Sequence, residues 1–360
     1  MIALLLSLGT AWPCAALLTR DVVGELASSD AQEVILERNS EGVRTRYRVS
    51  YDGNAESFGW LIVTRGNVGE GDITEADEYT FEQLRMETAP ELVVYGSPGG
   101  SDDAGGGCAC RRLGKGDLIM SGGGNIDNGA FALEDTGSID ITAEGFAGPF
   151  AYTALSATDA DALVAWLEDN DFTLGDTAST LQHYIEDGNY TFVAVTLAPD
   201  TAETPAAGRT LPALSIQSDA EQMEFPARMS YTGMAEELRT TVYVLGEQTA
   251  EVVSGWSSQE VVELRSSSDP EQEYDDFLRD LATQGPTYAA VYSGQMGSHW
   301  VTRFDTLAHR SLHTEDPVFD YNGVTGRWSL EIRVDEDYEH SSVWFWLPLF
   351  GLGIARRRKA

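Results

Sequence analysis

The stretch Val43–Tyr51, VRTRYRVSY, alternates strictly between two kinds of side chain. Its odd-numbered positions carry Val, Thr or Tyr, whereas positions 44, 46 and 48 are all arginine. A period of two predicts a β-strand with one buried and one outward face. The strand pattern Gln32–Arg38 precedes it and the turn Asn39–Gly42 joins the two, so we expect an antiparallel hairpin. The arginine row either binds an acidic ligand or pairs with acids of a neighbouring strand, which is the more frequent arrangement.

Strand and helix patterns continue on both sides of this hairpin. The further strand patterns are Phe58–Val63, Leu92–Tyr95, Tyr190–Leu197, Met223–Ser230, Thr240–Leu245, Val261–Leu264, His299–Asp305 and Arg327–Val334. Helical periodicity occurs at Thr80–Glu87, in a helix pair over 158–187 and at Leu278–Gln284. We expect Thr158 to cap the first helix of the pair, and the second to cover about Thr177–Asp187. We therefore predict an α+β fold that is strand-dominated, with antiparallel sheets and a few amphipathic helices packed on them.

The charge balance excludes one large class of function. The 360 residues include 58 Asp and Glu against 23 Lys and Arg, a formal net charge of −35. Proteins that bind nucleic acids need clustered basic side chains to neutralise phosphates. We therefore expect no nucleic-acid partner, and an acidic surface that attracts divalent cations without specificity.

Composition divides the chain into five parts. They are a signal peptide at 1–13, an N-terminal β-rich domain at 14–198 that contains the helix pair, a loose linker at 199–220, a second α+β region at 221–338, and an apolar segment with a basic cluster at 343–359. The linker is placed where Pro, Ala, Thr and Asp become frequent, a composition typical of domain boundaries.

The N-terminal segment fits a secretory signal peptide. An apolar stretch, Ile2–Leu8, is followed by small residues that suit a cleavage site. No basic residue precedes Arg20, so the usual basic start is missing. The alternative is a buried N-terminal strand.

The C-terminal tail joins an uncharged run to a basic end. Val343–Ala355 carries no charge, but as a helix it would span only about 20 Å of the ~30 Å hydrocarbon core. The run opens with Trp344 and Trp346, and it is followed by Arg356, Arg357, Arg358 and Lys359. This order is typical of a membrane interface with its bases on the inner side, so we expect the tail to hold the body outside the inner membrane. The alternative is a final strand or helix that packs in the core.

The three cysteines are Cys14, Cys108 and Cys110. Export would place them in an oxidising compartment, where disulfides persist. A bridge within Cys-x-Cys is strained, so the expected bond joins Cys14 to Cys108 or Cys110. A metal site and free thiols are the alternatives.

His309 and His313 are the metal candidates. Residues four apart share one face of a helix, where they could supply two zinc ligands. Asp305, Glu315 and Asp316 lie near them in sequence. The segment HRSLH lacks the glutamate that acts as the base in zinc proteases, so the motif is weak.

No catalytic motif is complete. Asp135–Ser138, DTGS, matches the tetrad of aspartic proteases, but no second copy supplies the paired carboxylate that this chemistry needs. The glycine-rich stretch GSPGGSDDAGGG lacks the Gly-Lys-Ser/Thr of a phosphate-binding loop. We therefore predict no catalytic residue, no cofactor-binding residue and no cofactor.

Four segments carry a family resemblance: QEVILERN, YDGNAESFGWLIV, LSATDADALVAWLEDNDFTL and YTFVAVTL. Together they resemble the bacterial Domain of Unknown Function 2330 family over about residues 14 to 310. The resemblance implies an export signal, an early cysteine and a glycine–cysteine loop, to which Cys14 and GGGCAC correspond. The tail is similar to C-terminal sorting signals of Gram-negative bacteria, although the short recognition motif that precedes such signals is absent. The family has no established reaction, so the resemblance implies no functional residue.

These observations lead to two hypotheses of different class. The first is an exported protein of a Gram-negative bacterium, envelope-associated or surface-anchored, with a non-enzymatic binding or structural role toward an unknown envelope partner. The alternative is an extracytoplasmic hydrolase or a metal-dependent enzyme. A deep pocket with a carboxylate pair, or the convergence of His309, His313 and an acid, would favour the enzyme.

Overall fold

The computed structural model describes residues 16–20, 31–51, 58–95, 137–174, 177–197, 209–231, 237–266 and 269–335. In chain order, the strands are β1 Ala16–Arg20, β2 Ala31–Asn39, β3 Gly42–Tyr51, β4 Phe58–Arg65, β5 Ile73–Glu75, β6 Glu91–Tyr95, β7 Ile139–Ala147, β8 Phe150–Ala157, β9 Phe172–Thr173, β10 Tyr190–Leu197, β11 Arg209–Thr210, β12 Leu214–Ser218, β13 Met223–Glu224, β14 Glu237–Gly246, β15 Ala250–Ser254, β16 Ser257–Glu260, β17 Glu263–Ser266, β18 Thr287–Met296, β19 His299–His309, β20 Val318–Tyr321, β21 Trp328–Ser329 and β22 Glu331–Asp335. The helices are α1 Glu78–Glu87, α2 Ala160–Asp169, α3 Thr177–Asp187, α4 Ala227–Tyr231, α5 Pro270–Thr283 and a short 3-10 helix, Arg310–Leu312.

The arginine-rich hairpin forms as predicted inside the largest sheet. β2 and β3 pair antiparallel, and Asn39 lies opposite Gly42 at the turn. Gly42 has a φ of +126°, and a Cβ there would collide with the backbone of Asp219 on the neighbouring segment, so the turn requires glycine. The apolar face of β3 is buried, as the alternation predicts.

A ten-stranded sheet is built around this hairpin, in the order β16-β18-β19-β14-β2-β3-β12-β5 along its main path. β14 and β19 form its longest antiparallel pair, and β2 runs parallel to β14. A six-stranded sheet has the order β7-β8-β10-β4-β1-β9. Two small sheets complete the strands, β13-β20-β15 and β17-β22-β6.

The two large sheets pack face to face. Their inner faces share one apolar cluster, in which Val34 and Tyr47 of the ten-stranded sheet meet Trp60, Phe150 and Val193 of the six-stranded sheet. The rings of Tyr47 and Trp60 contact edge to face, with centroids 6.1 Å apart. This sandwich core is the largest source of apolar burial among the described residues.

Helices cover both outer faces of the sandwich. α2 and α3 pack on the six-stranded sheet through Leu163, Leu167 and Leu181. On the ten-stranded sheet, α1 packs through Phe81 and α5 packs through Leu278. The layers are therefore helix, sheet, sheet and helix, and the strand-dominated α+β class is confirmed.

Three groups of strands depart from the antiparallel prediction. β2 pairs parallel with β14, β16 pairs parallel with β18, and β17, β22 and β6 form a parallel sheet. The direction of pairing between segments far apart in sequence is a tertiary property, which local alternation does not encode.

The predicted linker at 199–220 is corrected for the part that the structure describes. This range contains β11 and β12, and both strands pair with β3. Strands from both sides of the predicted boundary therefore share the ten-stranded sheet. Pro and Thr mark turns as well as linkers, so composition alone placed a boundary where the chain folds back.

Two further corrections concern the ends of single elements. The predicted helix pair is confirmed, but the cap of α2 is Asp159, which accepts a hydrogen bond from the Ala162 amide at 2.8 Å, rather than Thr158. The strand predicted at Met223–Ser230 is wrong beyond Glu224, since α4 begins at Ala227. Proline has no amide hydrogen to donate, and Pro226 ends the strand pairing there.

Candidate functional site

The arginine row of β3 lies on the outer face of the ten-stranded sheet. Arg46 donates to Glu37 at 2.7 Å, and Arg48 Nε donates to Glu33 at 2.8 Å. Both acids lie on β2, so the predicted pairing with a neighbouring strand is confirmed. Arg48 is buried rather than exposed because α1 covers it, and Glu82 of that helix accepts a hydrogen bond from Arg48 Nη1 at 2.8 Å.

Farther along the same face, β19 carries a fully buried ion pair. Arg303 donates to Asp305 through Nε at 2.9 Å and through Nη2 at 2.8 Å, and the two side chains are 1% and 0% exposed. Asp305 also accepts from the Tyr274 hydroxyl at 2.7 Å and from Thr241 at 3.0 Å. Burial alone would raise the pKa of Asp305, but the charge and hydrogen bonds of Arg303 outweigh it and hold the pKa below its usual range.

These pairs form one polar band across the sheet, which we call the outer ionic row. Its members are Glu33, Arg48, Tyr243, Tyr274, Arg303 and Asp305. The Tyr243 hydroxyl donates to Glu33 at 3.4 Å, and Arg303 donates to the carbonyl of Thr88, the C-cap of α1, at 3.3 Å. Tyr274 belongs to α5. The row therefore ties α1 and α5 to the sheet, and both oxygens of Asp305 are occupied by protein donors.

A second group of ionisable side chains converges from six segments, and we call it the junction cluster. It comprises Arg65 on β4, Tyr184 and Asp187 on α3, Tyr190 on β10, Glu224 on β13, Arg228 on α4 and Asp316 just before β20. It lies where α3, on the outside of the six-stranded sheet, meets the β13-β20-β15 sheet. Ionisable groups gathered from many segments and shifted in pKa are typical of functional sites, although structural networks show the same feature.

Asp316 is the least compensated acid of this cluster. Its Oδ1 accepts from the Arg228 amide at 2.8 Å and from the Tyr184 hydroxyl at 3.2 Å. Its Oδ2 accepts no hydrogen bond from the described residues, and the Arg228 Nε lies 3.9 Å away. The side chain is only 8% exposed. Burial therefore raises the pKa of Asp316 to about 7, and the negative charge of Glu224 adds to the effect.

Glu224 is equally buried but well bonded. Its Oε1 accepts from the Tyr190 hydroxyl at 2.6 Å, and its Oε2 accepts from Arg65 at 2.9 Å. Arg65 also lies 3.3 Å from Asp187 and covers the Tyr190 ring at 5.1 Å. Burial raises the pKa of Tyr190, and the charge of Glu224 raises it further, so the hydroxyl stays protonated as a donor.

His313 lies beside the junction cluster but does not join it. Its Nδ1 lies 3.3 Å from the carbonyl of Ala227, and its ring contacts Trp256 edge to face at 5.1 Å. Its Nε2 has no partner among the described residues. Burial lowers the pKa of His313 to about 4, which keeps the ring neutral at pH 7.

His309 and His313, the weak metal candidates, do not share a helix face. His309 is the exposed last residue of β19 and caps the 3-10 helix, in which Ser311 donates to its Nδ1 at 3.2 Å. Asp305 belongs to the outer ionic row, whereas Asp316 belongs to the junction cluster. In the described ranges, no three or more His, Cys, Asp or Glu side chains form a group that could hold a metal ion.

Several predicted features lie outside the described residues. They are the signal peptide at 1–13, the cysteines Cys14, Cys108 and Cys110, and the tail with Trp344, Trp346, Arg356, Arg357, Arg358 and Lys359. None of the helices that the structure does describe is long and apolar enough to cross a membrane.

Sequence reasoning missed the junction cluster. Tyr184 and Asp316 are 132 positions apart, and neither lies in a recognisable motif. The one local signal was the position of Asp316 near the histidine pair, which we considered only as a weak metal candidate. Only the fold shows that this carboxyl group is buried against α3.

Three comparisons with known proteins complete the description. A family described as an uncharacterized protein conserved in bacteria, DUF2330, matches residues 14–319. No curated protein matches the chain. Among solved structures, a mutated baculovirus P35 after caspase cleavage is 7% identical, with 81% of this chain and 93% of that chain covered and a TM-score of 0.28. A likeness at that score carries no argument about fold or function.

Proposed function

This chain belongs to the DUF2330 family, and we propose that it is an exported, envelope-associated protein with a binding or structural role. In this proposal the body lies outside the inner membrane of a Gram-negative bacterium, and the C-terminal tail holds it there. The partner is a cationic surface of another envelope component, or divalent cations that bridge the protein to one.

One observation carries the proposal: the fold turns its positive charges inward. Among the arginines whose side chains the structure describes, only Arg265 and Arg327 are exposed. The others are buried or half-buried. Arg48 is enclosed by carboxylates and the Phe81 ring, and Arg303 by Asp305 and the Tyr243 ring. Most of the described arginines therefore form ion pairs with carboxylates of the same chain.

Carboxylates, by contrast, face the solvent. α5 alone presents Asp269 at its cap, Glu271, Asp276 and Asp280 as exposed side chains. The outer surface is consequently more acidic than the composition suggests, because most described arginines are not available to it. Such a surface repels anionic lipids and nucleic acids, and it speeds encounters with cationic partners in a manner that falls with ionic strength.

Location is tested by fractionating cells that make the full chain and by sequencing its mature ends. We expect a mature N-terminus beyond residue 13 and recovery in the envelope fraction. Changing Arg356, Arg357, Arg358 and Lys359 together to Gln should release the body from that fraction. The matched control is Arg265→Gln, which removes one exposed base from the folded body and should leave the location unchanged. An intact chain dissolved in the cytoplasm with reduced thiols would overturn the proposal.

A hydrolase is the second candidate, and one observation favours it. Asp316 and Glu224 are two carboxyl groups in one cluster, and the pKa of Asp316 is raised to about 7, a pattern that acid–base catalysis uses. Both side chains are nearly enclosed, at 8% and 7% exposed, and their bonded oxygens are held by protein donors. Glycosidase, esterase and peptidase assays on the wild type and on Glu224→Gln separate the two candidates, since a turnover lost in the variant would favour the hydrolase.

A further inference from the structure

The junction cluster contains a carboxyl group, that of Asp316, which has no close ion pair among the described residues. Of the two oxygens of Asp316, Oδ1 accepts both hydrogen bonds, and Oδ2 lies 3.9 Å from a guanidinium nitrogen. That nitrogen, Arg228 Nε, is buried and has no hydrogen-bond partner among the described residues. The ionised form of Asp316 therefore lacks the direct ion pair that buried charges usually require.

The surroundings of Asp316 add a second negative charge. The charged and titratable groups that act on Asp316 directly are Glu224 on β13, Arg228 on α4 and Tyr184 on α3. Glu224 links them to Tyr190 on β10 and Arg65 on β4, and Asp187 on α3 contacts both of these. Arg65 is already engaged by Glu224 at 2.9 Å and by Asp187 at 3.3 Å. Within the described part of the chain, the remaining cation near Asp316 is Arg228, whose contact is long.

The position of Asp316 makes its charge state matter to the fold. Its two donors come from different elements, because Tyr184 belongs to α3 and the Arg228 amide belongs to α4. Gly255, in the turn between β15 and β16, packs against the Asp316 carbonyl, and Trp256 donates to the carbonyl of Glu315 at 2.8 Å. Asp316 thus lies where α3 and α4 meet the β13-β20-β15 sheet.

We propose that Asp316 is a proton-controlled latch: its neutral carboxyl group holds α3 and α4 against the β13-β20-β15 sheet, and its ionised form loosens this contact. In the neutral form, Oδ1 accepts both hydrogen bonds and no net charge is buried. In the ionised form, two carboxylates, Asp316 and Glu224, occupy the same enclosed cluster.

The direction of the pH dependence follows from linkage. An aspartate in the unfolded chain has a pKa of about 3.9, whereas burial raises the pKa of Asp316 in the folded chain to about 7. The folded chain therefore binds more protons between these values, and stability falls as the pH rises. The contribution is fully present below about pH 4 and is lost as the pH rises through about 7.

Hydrogen exchange of the full chain at pH 5.5 and pH 8.0 tests the latch, after correction for the pH dependence of chemical exchange. In the wild type, we expect protection of α3 and α4 to fall about tenfold relative to α5 between the two values, a factor that corresponds to one pK unit. In Asp316→Asn, which cannot ionise, protection should stay the same within about twofold. An unchanged wild type, or the same loss in the variant, would overturn the proposal.

Two further variants keep the test decisive. Asp320→Asn removes a nearby carboxylate that is half exposed and bonded to Arg38 at 2.9 Å, and it should leave the pH response of α3 as in the wild type. Glu224→Gln removes the neighbouring negative charge, which lowers the pKa of Asp316, so the loss of protection should occur at lower pH. Should Asp316→Asn not fold, this change in midpoint decides the question, and an unmoved midpoint would count against the latch.

Discussion

The outer ionic row and the junction cluster each enclose an aspartate, and they shift its pKa in opposite directions. Asp305 receives two hydrogen bonds from one guanidinium and further donors from Tyr274 and Thr241, so its pKa is lowered. Asp316 accepts hydrogen bonds from the Arg228 amide and the Tyr184 hydroxyl, and burial raises its pKa to about 7. Both lie in the interior, so burial does not decide protonation. The closeness of a matched cation does.

The sharpest test of this contrast is Arg303→Met, which leaves Asp305 buried without its cation. We expect the free energy of unfolding at pH 7 to fall by about 3–5 kcal/mol, measured by urea unfolding. Arg303→Met combined with Asp305→Leu should cost less than the single change, because no charge is then stranded. Arg265→Met is the control, since that side chain is 84% exposed and should change stability by less than about 0.5 kcal/mol. A cost below about 1 kcal/mol for Arg303→Met would refute the assigned role of the pair.

The packing of the junction is tested by Gly255→Ala. Gly255 has a φ of +77°, and a Cβ there would collide with the carbonyl of Asp316. We expect a loss of about 2–3 kcal/mol, from left-handed strain and the displaced Asp316 backbone together. Gly188→Ala is the matched control, because Gly188 has a φ of +74° but a Cβ there would meet no atom within 4 Å, so strain alone should cost about 1 kcal/mol. Equal losses in thermal or urea unfolding would show that the Gly255 contact does not constrain the junction.

The two tyrosine donors give a smaller and pH-dependent effect. Tyr274→Phe removes a hydrogen bond to an aspartate that is ionised throughout, and we expect a loss of about 2 kcal/mol at both pH 5.5 and pH 8.0. Tyr184→Phe removes a donor that stabilises the ionised Asp316 most, so its cost should grow from about 0.5 to about 1.5 kcal/mol as the pH rises. Urea unfolding of both variants at the two pH values decides the point. If the cost of Tyr184→Phe is the same at both, the contrast between the clusters is wrong.

The smallest expected effect concerns an exposed aspartate that is hydrogen-bonded without being enclosed. The side chain and amide of Asn67 donate to Asp219 at 2.8 and 2.7 Å and lower its pKa. The contribution of Asp219 is therefore present above the unfolded pKa of about 3.9 and lost as the pH falls below it. Solvent screening limits the loss in Asp219→Asn to about 0.5 kcal/mol at pH 7. This loss should vanish near pH 2, and a larger loss at low pH than at pH 7 would contradict the assignment.

Local periodicity predicted the elements that depend on neighbouring residues alone. The alternation of Val43–Tyr51 predicted the β2–β3 hairpin and its buried face, and α3 begins and ends at the predicted residues, Thr177 and Asp187. The acids opposite the arginine row could also be predicted, because Glu33 and Glu37 belong to the adjacent strand of the same hairpin. In each case the interacting residues are close in sequence, so the pattern contains the information.

The candidate site was not predictable in the same way. Asp305 and Asp316 are both aspartates and lie eleven positions apart, yet the pKa of Asp305 is lowered and the pKa of Asp316 is raised. Tyr184 reaches Asp316 from 132 positions away, and β14 reaches β2 across the predicted domain boundary. These contacts form only when segments far apart in sequence come together, and no local sequence pattern predicts which segments will meet.

The sequence by itself determined the strand-dominated α+β class, the acidic charge balance, and the hairpin around the arginine row. Only the tertiary structure decided that most described arginines turn inward and that Asp305 gains a guanidinium while Asp316 does not. The physical reason is that periodicity and composition are properties of the chain. The free energy of a charge depends instead on the water it loses and on the partners that distant segments bring to it.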